Sequence, residues 1–189
     1  MTDLTPLLPR KAVPALSVPT VGGETWTLAD QNPENFTLVV FYRGLHCPIC
    51  GTYLKDLDNR LAEFEKRGVT VIALSADPQD RAETAKTKWK LDNLTLGYDV
   101  PLSVAREWGL YLSSSNGKTS AGVVEPYQFH EPGLFLVRPD GTLYFGTVQT
   151  MPFARPRFED ILPALDFVIA KDYPARGELP ELGAVNEPA

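Results

Sequence analysis

Two runs, FTLVVFY (residues 36–42) and VTVIALSA (69–76), are almost continuously apolar and rich in β-branched side chains. Runs of that length without polar alternation predict strands buried on both faces, as in a sheet covered by helices. Between them Ile49, Tyr53, Leu54, Leu57, Leu61 and Phe64 recur at steps of three and four, and Lys66, Arg67 and Gly68 close the pattern. That spacing predicts an amphipathic helix with a basic, glycine-terminated end. The chain is thereby committed to a β-α-β unit.

The remaining segments extend it. ALSVPTVGGETWTLAD (15–30) places two apolar stretches around Gly22-Gly23 and predicts a β-hairpin. A polar helix is expected at about 79–90, a short strand at LTLGY, and a helix from Pro101 to Trp108 with the proline near its first turn. GLFLV (133–137) and TLYFGTV (142–148) flank RPDG, a tight-turn sequence, and predict an antiparallel hairpin. FEDILPALDFVIA (158–170) predicts a last amphipathic helix, with Pro163 in its first turn or kinking it. The order is α/β, with a central mixed sheet and helices on both faces. With 189 residues, 43% of them hydrophobic, one core and one domain over residues 1–172 are expected, followed by a loosely packed Pro/Gly/Glu-rich tail at 173–189.

Net charge is −6, with Lys and Arg scattered among acids, which argues against a nucleic-acid partner. The apolar runs are too short to cross a membrane. The start, MTDLTPLLPR, lacks a basic region leading into an apolar stretch, so no secretory signal is expected and a cytoplasmic location is.

Both cysteines lie in RGLHCPICGTYL (43–54), three residues apart. In a reducing compartment a structural crosslink rarely persists. A zinc site needs four ligands, and the chain offers only Cys47, Cys50, His46 and His130, so neither metal nor other cofactor is expected. Cys47 follows a buried strand and opens a helix, with Pro48 suited to the first helical position and Cys47 to the N-cap. Unpaired N–H groups there stabilise a thiolate. Cys50 lies one turn along the same face, so attack by one thiol and resolution by the other is sterically reasonable. An inert buried pair, a thiol sensor or a metal-binding module stays open as the non-catalytic alternative. GKTS (117–120) is dismissed as a phosphate loop because the required glycine would fall at Leu112.

FYRGLHCPIC, its helix, and then VTVIALSADP resemble thioredoxin-fold proteins, and within them the peroxiredoxin-like branch of the alkyl hydroperoxide reductase and thiol-specific antioxidant family. SVAREWGL (103–110) and PGLFLVRPDG (132–141) extend the resemblance over roughly 15–170. It implies a thiol oxidoreductase that reduces a hydroperoxide or a disulfide through a Cys47–Cys50 cycle. It also implies re-reduction by a dithiol partner such as a thioredoxin-like protein, and assembly as a homodimer. A thiol-disulfide oxidoreductase with little peroxidase activity is the alternative. Pro132 is expected to be cis, with Glu131 beside the cysteines and a free backbone edge for a substrate chain.

The departures are specific. Aligned on Cys50, the family's Pro, Thr/Ser and Arg of the peroxide pocket fall at Arg43, Cys47 and Pro132. The usual peroxidase machinery is therefore absent, and its role is unfilled unless other residues supply it. Arg43, four residues before Cys47, is a candidate to lower a thiolate pKa or bind a peroxide oxygen. An antiparallel hairpin returns the chain to the end it left, so MPFARPRF (151–158) should lie near the cysteines, offering Arg155 or Arg157 and an apolar rim of Met151 and Phe153. His46 is a candidate to stabilise a thiolate or carry a proton. Cys47 is preferred as the attacking sulfur, on exposure and thiolate stabilisation.

Overall fold

The computed structural model describes residues 4–180. A β-hairpin of β1 (Ser17–Pro19) and β2 (Thr25–Thr27) precedes the buried strand β3 (Phe36–Phe41). Helix α1 (Pro48–Glu65) crosses to β4 (Val69–Leu74), and α2 (Gln79–Lys88) to the short β5 (Leu96–Gly97). Helix α3 (Leu102–Glu107) leads into β6 (Leu112–Ser114) and β7 (Gln128–His130), which pair with each other. Strands β8 (Gly133–Val137) and β9 (Leu143–Val148) and helix α4 (Phe158–Lys171) complete the chain.

The central sheet runs β5-β4-β3-β8-β9. The pairs β3–β4 and β4–β5 are parallel, whereas β3–β8 and β8–β9 are antiparallel, so the sheet is mixed. Strand β3 shows why its sequence had no alternation. Phe36, Leu38, Val40 and Tyr42 face α1, α2 and α4, while Val39 and Phe41 face α3 and the N-terminal hairpin. Both faces are covered, so both parities are apolar.

Three features differ from the sequence reading. The pair β6–β7 was not foreseen, because LSS and QFH are short and carry no apolar alternation. Pro163 lies in the second turn of α4, beyond the N–H groups that need no partner, yet the helix continues through it. The first residues of the tail are docked: Ala175 is buried, its carbonyl accepts from Arg10 Nε (3.0 Å), and Arg10 also pairs with Glu178. The rest of the tail, 181–189, lies outside the described residues. Among the described residues no helix is long and apolar enough to cross a membrane.

Candidate active site

The site begins where β3 ends. Gly44 takes φ of +133°, a region that side chains rarely adopt, and an added Cβ would meet the Asp77 carboxylate at 2.7 Å. Buried Asp77 accepts from the Leu45 N–H (2.6 Å) and pairs with Arg81 (3.0 Å). The SADP segment after β4 thus fixes the turn that carries the cysteines. Helix α1 then starts with Cys47 as N-cap and Pro48 at its first position, as the sequence predicted.

The two sulfurs are 2.6 Å apart, both as free thiols, with Cys50 donating to Cys47. Cys47 is held down to about 6, chiefly by that donated hydrogen bond; burial opposes it, and the Arg155 and Arg43 charges assist. Cys50 is pushed up, by burial and by the neighbouring Cys47. The pair therefore shares one proton at neutral pH, with the negative charge on Cys47. The expected exposure of Cys47 is corrected: both sulfurs are fully buried. They sit in the core cluster of the sheet and α1, and the segment following β9 comes against them through Arg155.

Arg155 lies in that segment. Its Nη2 is 3.2 Å from Cys50 Sγ and 3.7 Å from Cys47 Sγ. Its Nε donates to the Pro152 carbonyl (2.7 Å), and the guanidinium sits over the Tyr53 ring at 5.1 Å. Among the described residues no carboxylate pairs with it; its anionic neighbour is the Cys47 sulfur. Arg157 makes no contact with the sulfurs: it is exposed, paired with Glu159, and lines the neighbouring cleft. A cleft of about 440 Å³, lined by Ile49, Thr52, Tyr53, Phe153, Arg155 and Arg157 among others, adjoins Arg155; neither cysteine lines it. Phe153 and Met151 are exposed.

Arg43 is held by carboxylates. Its guanidinium is mostly buried, 3.2 Å from the Glu131 carboxylate and 3.5 Å from Glu125, and lies over the Phe129 ring. It acts on Cys47 as a nearby charge, not as a sulfur contact. Glu131 is likewise committed to Arg43 and Ser113 (2.6 Å) and makes no hydrogen bond to a sulfur. His46 is fully buried against Phe129, with ring centroids 4.6 Å apart. Neither ring nitrogen has a partner among the described residues, and burial, with the Arg43 and Arg81 charges, holds its pKa down to about 3. A neutral imidazole cannot stabilise the thiolate by charge.

Pro132 is trans, since no peptide bond among the described residues is cis. The Glu131 N–H donates to the Tyr111 carbonyl (2.8 Å), and the Pro132 carbonyl accepts from Gln149 N–H (3.1 Å). These bonds hold the chain extended between β7 and β8, where the intrinsically preferred trans form fits. The backbone edge expected to be free for a substrate chain is occupied by the protein itself.

Sequence reasoning missed Asp77 as the anchor of the cysteine turn, Glu125 as an Arg43 partner, and Tyr53 as more than a core position. SADP was visible as a family trait, without its contact. Glu125 lies 82 residues from Arg43, a pairing that no local pattern announces.

Comparison with known proteins agrees with this architecture. The AhpC/TSA family matches residues 9–145. The Escherichia coli K12 protein named peroxiredoxin Bcp is 30% identical over 121 residues, 64% of this chain and 76% of that protein. Among solved structures, the mitochondrial 2-Cys peroxiredoxin of Plasmodium falciparum superposes with a TM-score of 0.69 at 19% identity, over 92% of this chain and 100% of that one. Peroxidoxin BcpB of Mycobacterium tuberculosis gives 0.66 at 16% identity, over 86% and 98%. With the thioredoxin-like sheet, the thiol pair at the start of α1 and a family match across most of its length, this chain belongs to the AhpC/TSA family.

Proposed function

We propose that the chain is a peroxiredoxin-like thiol peroxidase in which Cys47 attacks, Cys50 resolves and Arg155 polarises the peroxide. The carrying observation is the Arg155 guanidinium lying across both sulfurs at 3.2 and 3.7 Å with no carboxylate of its own. It supplies from a different strand end the positive, multidentate donor that the family pattern carries where this chain has Pro132.

In this reading the Cys47 thiolate donates an electron pair to the outer oxygen of the hydroperoxide. The S–O bond forms as the O–O bond breaks, and the leaving alkoxide takes the Cys50 thiol proton. Cys50, now a thiolate, attacks the Cys47 sulfenic acid; the S–S bond forms and hydroxide departs. The dithiol has given two electrons, and the hydroperoxide has become an alcohol and hydroxide. A dithiol of the thioredoxin-like class returns the electrons. Arg43, held by Glu131 and Glu125, adds a second positive charge that favours the Cys47 thiolate.

Disulfide exchange with a protein chain is the second reading. The occupied edge at Pro132 speaks against it, because an extended peptide would find the backbone groups there already bonded. Stopped-flow fluorescence of the reduced protein mixed with hydrogen peroxide tests the proposal. Trp89 is a built-in reporter, its indole packed on Gly51 beside Cys50. Rapid oxidation that survives in Cys50→Ser, with a trappable Cys47 sulfenic acid, and is lost in Cys47→Ser is expected. Oxidation no faster than a free thiol of similar pKa would refute it.

A further inference from the structure

Tyr53 lies three residues after Cys50 on α1, a position that periodicity alone explains as packing. Its contacts exceed that. The hydroxyl donates to the Pro156 carbonyl (2.8 Å), the ring face supports the Arg155 guanidinium (5.1 Å), and the ring stacks on Phe158 at 4.4 Å. A single side chain thus touches three of the four residues Arg155–Phe158. The rest of the segment following β9 is poorly anchored: Met151 and Phe153 project into solvent, and Arg155 Nε bonds only within the segment.

The energetic need for such a grip is specific. Arg155 is a largely buried cation, and Nη1 has no partner among the described residues. Left alone, a guanidinium on a loop gains hydration by swinging outward. A ring face beneath the cation, and a hydrogen bond fixing the next residue's carbonyl, both favour the inward pose. Burial keeps the Tyr53 phenol protonated, so it stays a donor across the working pH range.

We propose that Tyr53 is a positioning residue for the peroxidase reaction: it acts through Arg155, gripping Arg155–Phe158 so that the guanidinium sits on the two sulfurs. This rests on the role assigned to Arg155 above. It also explains the sequence spacing: a tyrosine one turn beyond Cys50 projects toward the same strand-end segment that the second sulfur faces.

The test is a double-mutant cycle read on the full chain. Tyr53→Phe removes the hydroxyl and keeps the ring and its stacking; Tyr53→Leu removes both; each is combined with Arg155→Gln. The readouts are the Cys47 thiolate titration, by absorbance near 240 nm, and the rate of oxidation by hydrogen peroxide. Tyr53→Phe is expected to slow oxidation about threefold and Tyr53→Leu about tenfold, from the ordinary worth of a hydrogen bond and a partly buried cation–π contact. Both should raise the Cys47 midpoint, and neither should add to the Arg155→Gln defect. A purely structural role would lower thermal stability and leave the titration midpoint in place. If Arg155→Gln is defective but Tyr53→Phe is silent, or equally harmful in both backgrounds, the positioning role is overturned while the Arg155 reading stands. If Arg155→Gln itself changes neither readout, both fall.

Discussion

Replacing Arg155 with glutamine separates two contributions that the geometry combines. The guanidinium lies 3.7 Å from the sulfur that carries the charge and 3.2 Å from its partner. A charge pair at about 4 Å is worth roughly 4 kcal/mol at an effective dielectric constant of 20, an upper figure because water and Arg43 replace part of it. A hydrogen bond to a charged group contributes about 1.5–3 kcal/mol net, or roughly one to two pKa units. Cys47 should therefore rise from about 6 to between about 7 and 8. At pH 7 the thiolate fraction falls from about nine-tenths to between roughly one-tenth and one-half, a loss of about twofold to tenfold. The second contribution is stabilisation of the departing alkoxide, for which removal of one preorganised donor costs about 10²–10³. The assay is the second-order rate of oxidation by hydrogen peroxide from pH 5 to 9.5, with the thiolate titrated in parallel. Wild type should show a limb that rises with pH and inflects near 6. The variant's limb should inflect one to two units higher and level off about 10²-fold lower, even where Cys47 is fully ionised. Complete recovery at high pH would show that Arg155 only tunes the thiol. An unchanged midpoint and rate would refute the reasoning entirely.

Three further outcomes follow from the surroundings of the pair. Asp77→Asn removes the charge that accepts from Leu45 and balances Arg81, so it should cost about 3 kcal/mol, the low end for breaking a buried pair because Arg81 is partly exposed. Calorimetry should show a melting temperature lower by roughly 6–12 °C. His46 and His130 are held neutral in the fold, with pKa values down to about 3 and about 4, so the unfolded chain binds protons that the native state refuses. Stability should fall as pH drops from about 6.5 toward 4, and His46→Gln should flatten that dependence in pH-dependent denaturant melts; an equally steep fall in the variant would show that His46 is not its source. Gly51→Ala puts a Cβ 2.7 Å from the Trp89 indole nitrogen, so the indole must move. A shifted Trp emission and a loss of about 1–3 kcal/mol in denaturant titration are expected, and unchanged emission would contradict the contact.

How far the sequence reached depended on the range of the interaction. The buried runs of β3 and β4 and the spacing of α1 were legible because they reflect periodicity over a few residues. The Cys47 N-cap was legible for the same reason, since Pro48 marks the first helical position. Arg155 is an instructive intermediate case. It lies more than a hundred residues from the cysteines, yet the turn RPDG between β8 and β9 implied that the chain returns to the end bearing them. Topology substituted for local pattern, and narrowed the candidates to Arg155 and Arg157; only side-chain geometry separated the two.

What was not legible came from competition among buried charges. Arg43 is four residues from Cys47, and sequence proximity made it a candidate to lower a thiolate pKa or bind a peroxide oxygen. Glu125 and Glu131 draw its guanidinium onto themselves, leaving it a field rather than a contact. Arg155 differs: among the described residues it has no carboxylate partner, and its Nη2 lies against both sulfurs. Pro132 follows a parallel logic. It is trans, and the hydrogen bonds of Glu131 and Gln149 around it close the edge that a peptide substrate would need. The two corrections converge. The arginine expected beside the thiols is held by carboxylates, the edge expected to be open is closed, and the guanidinium that lies against the two buried sulfurs is that of Arg155.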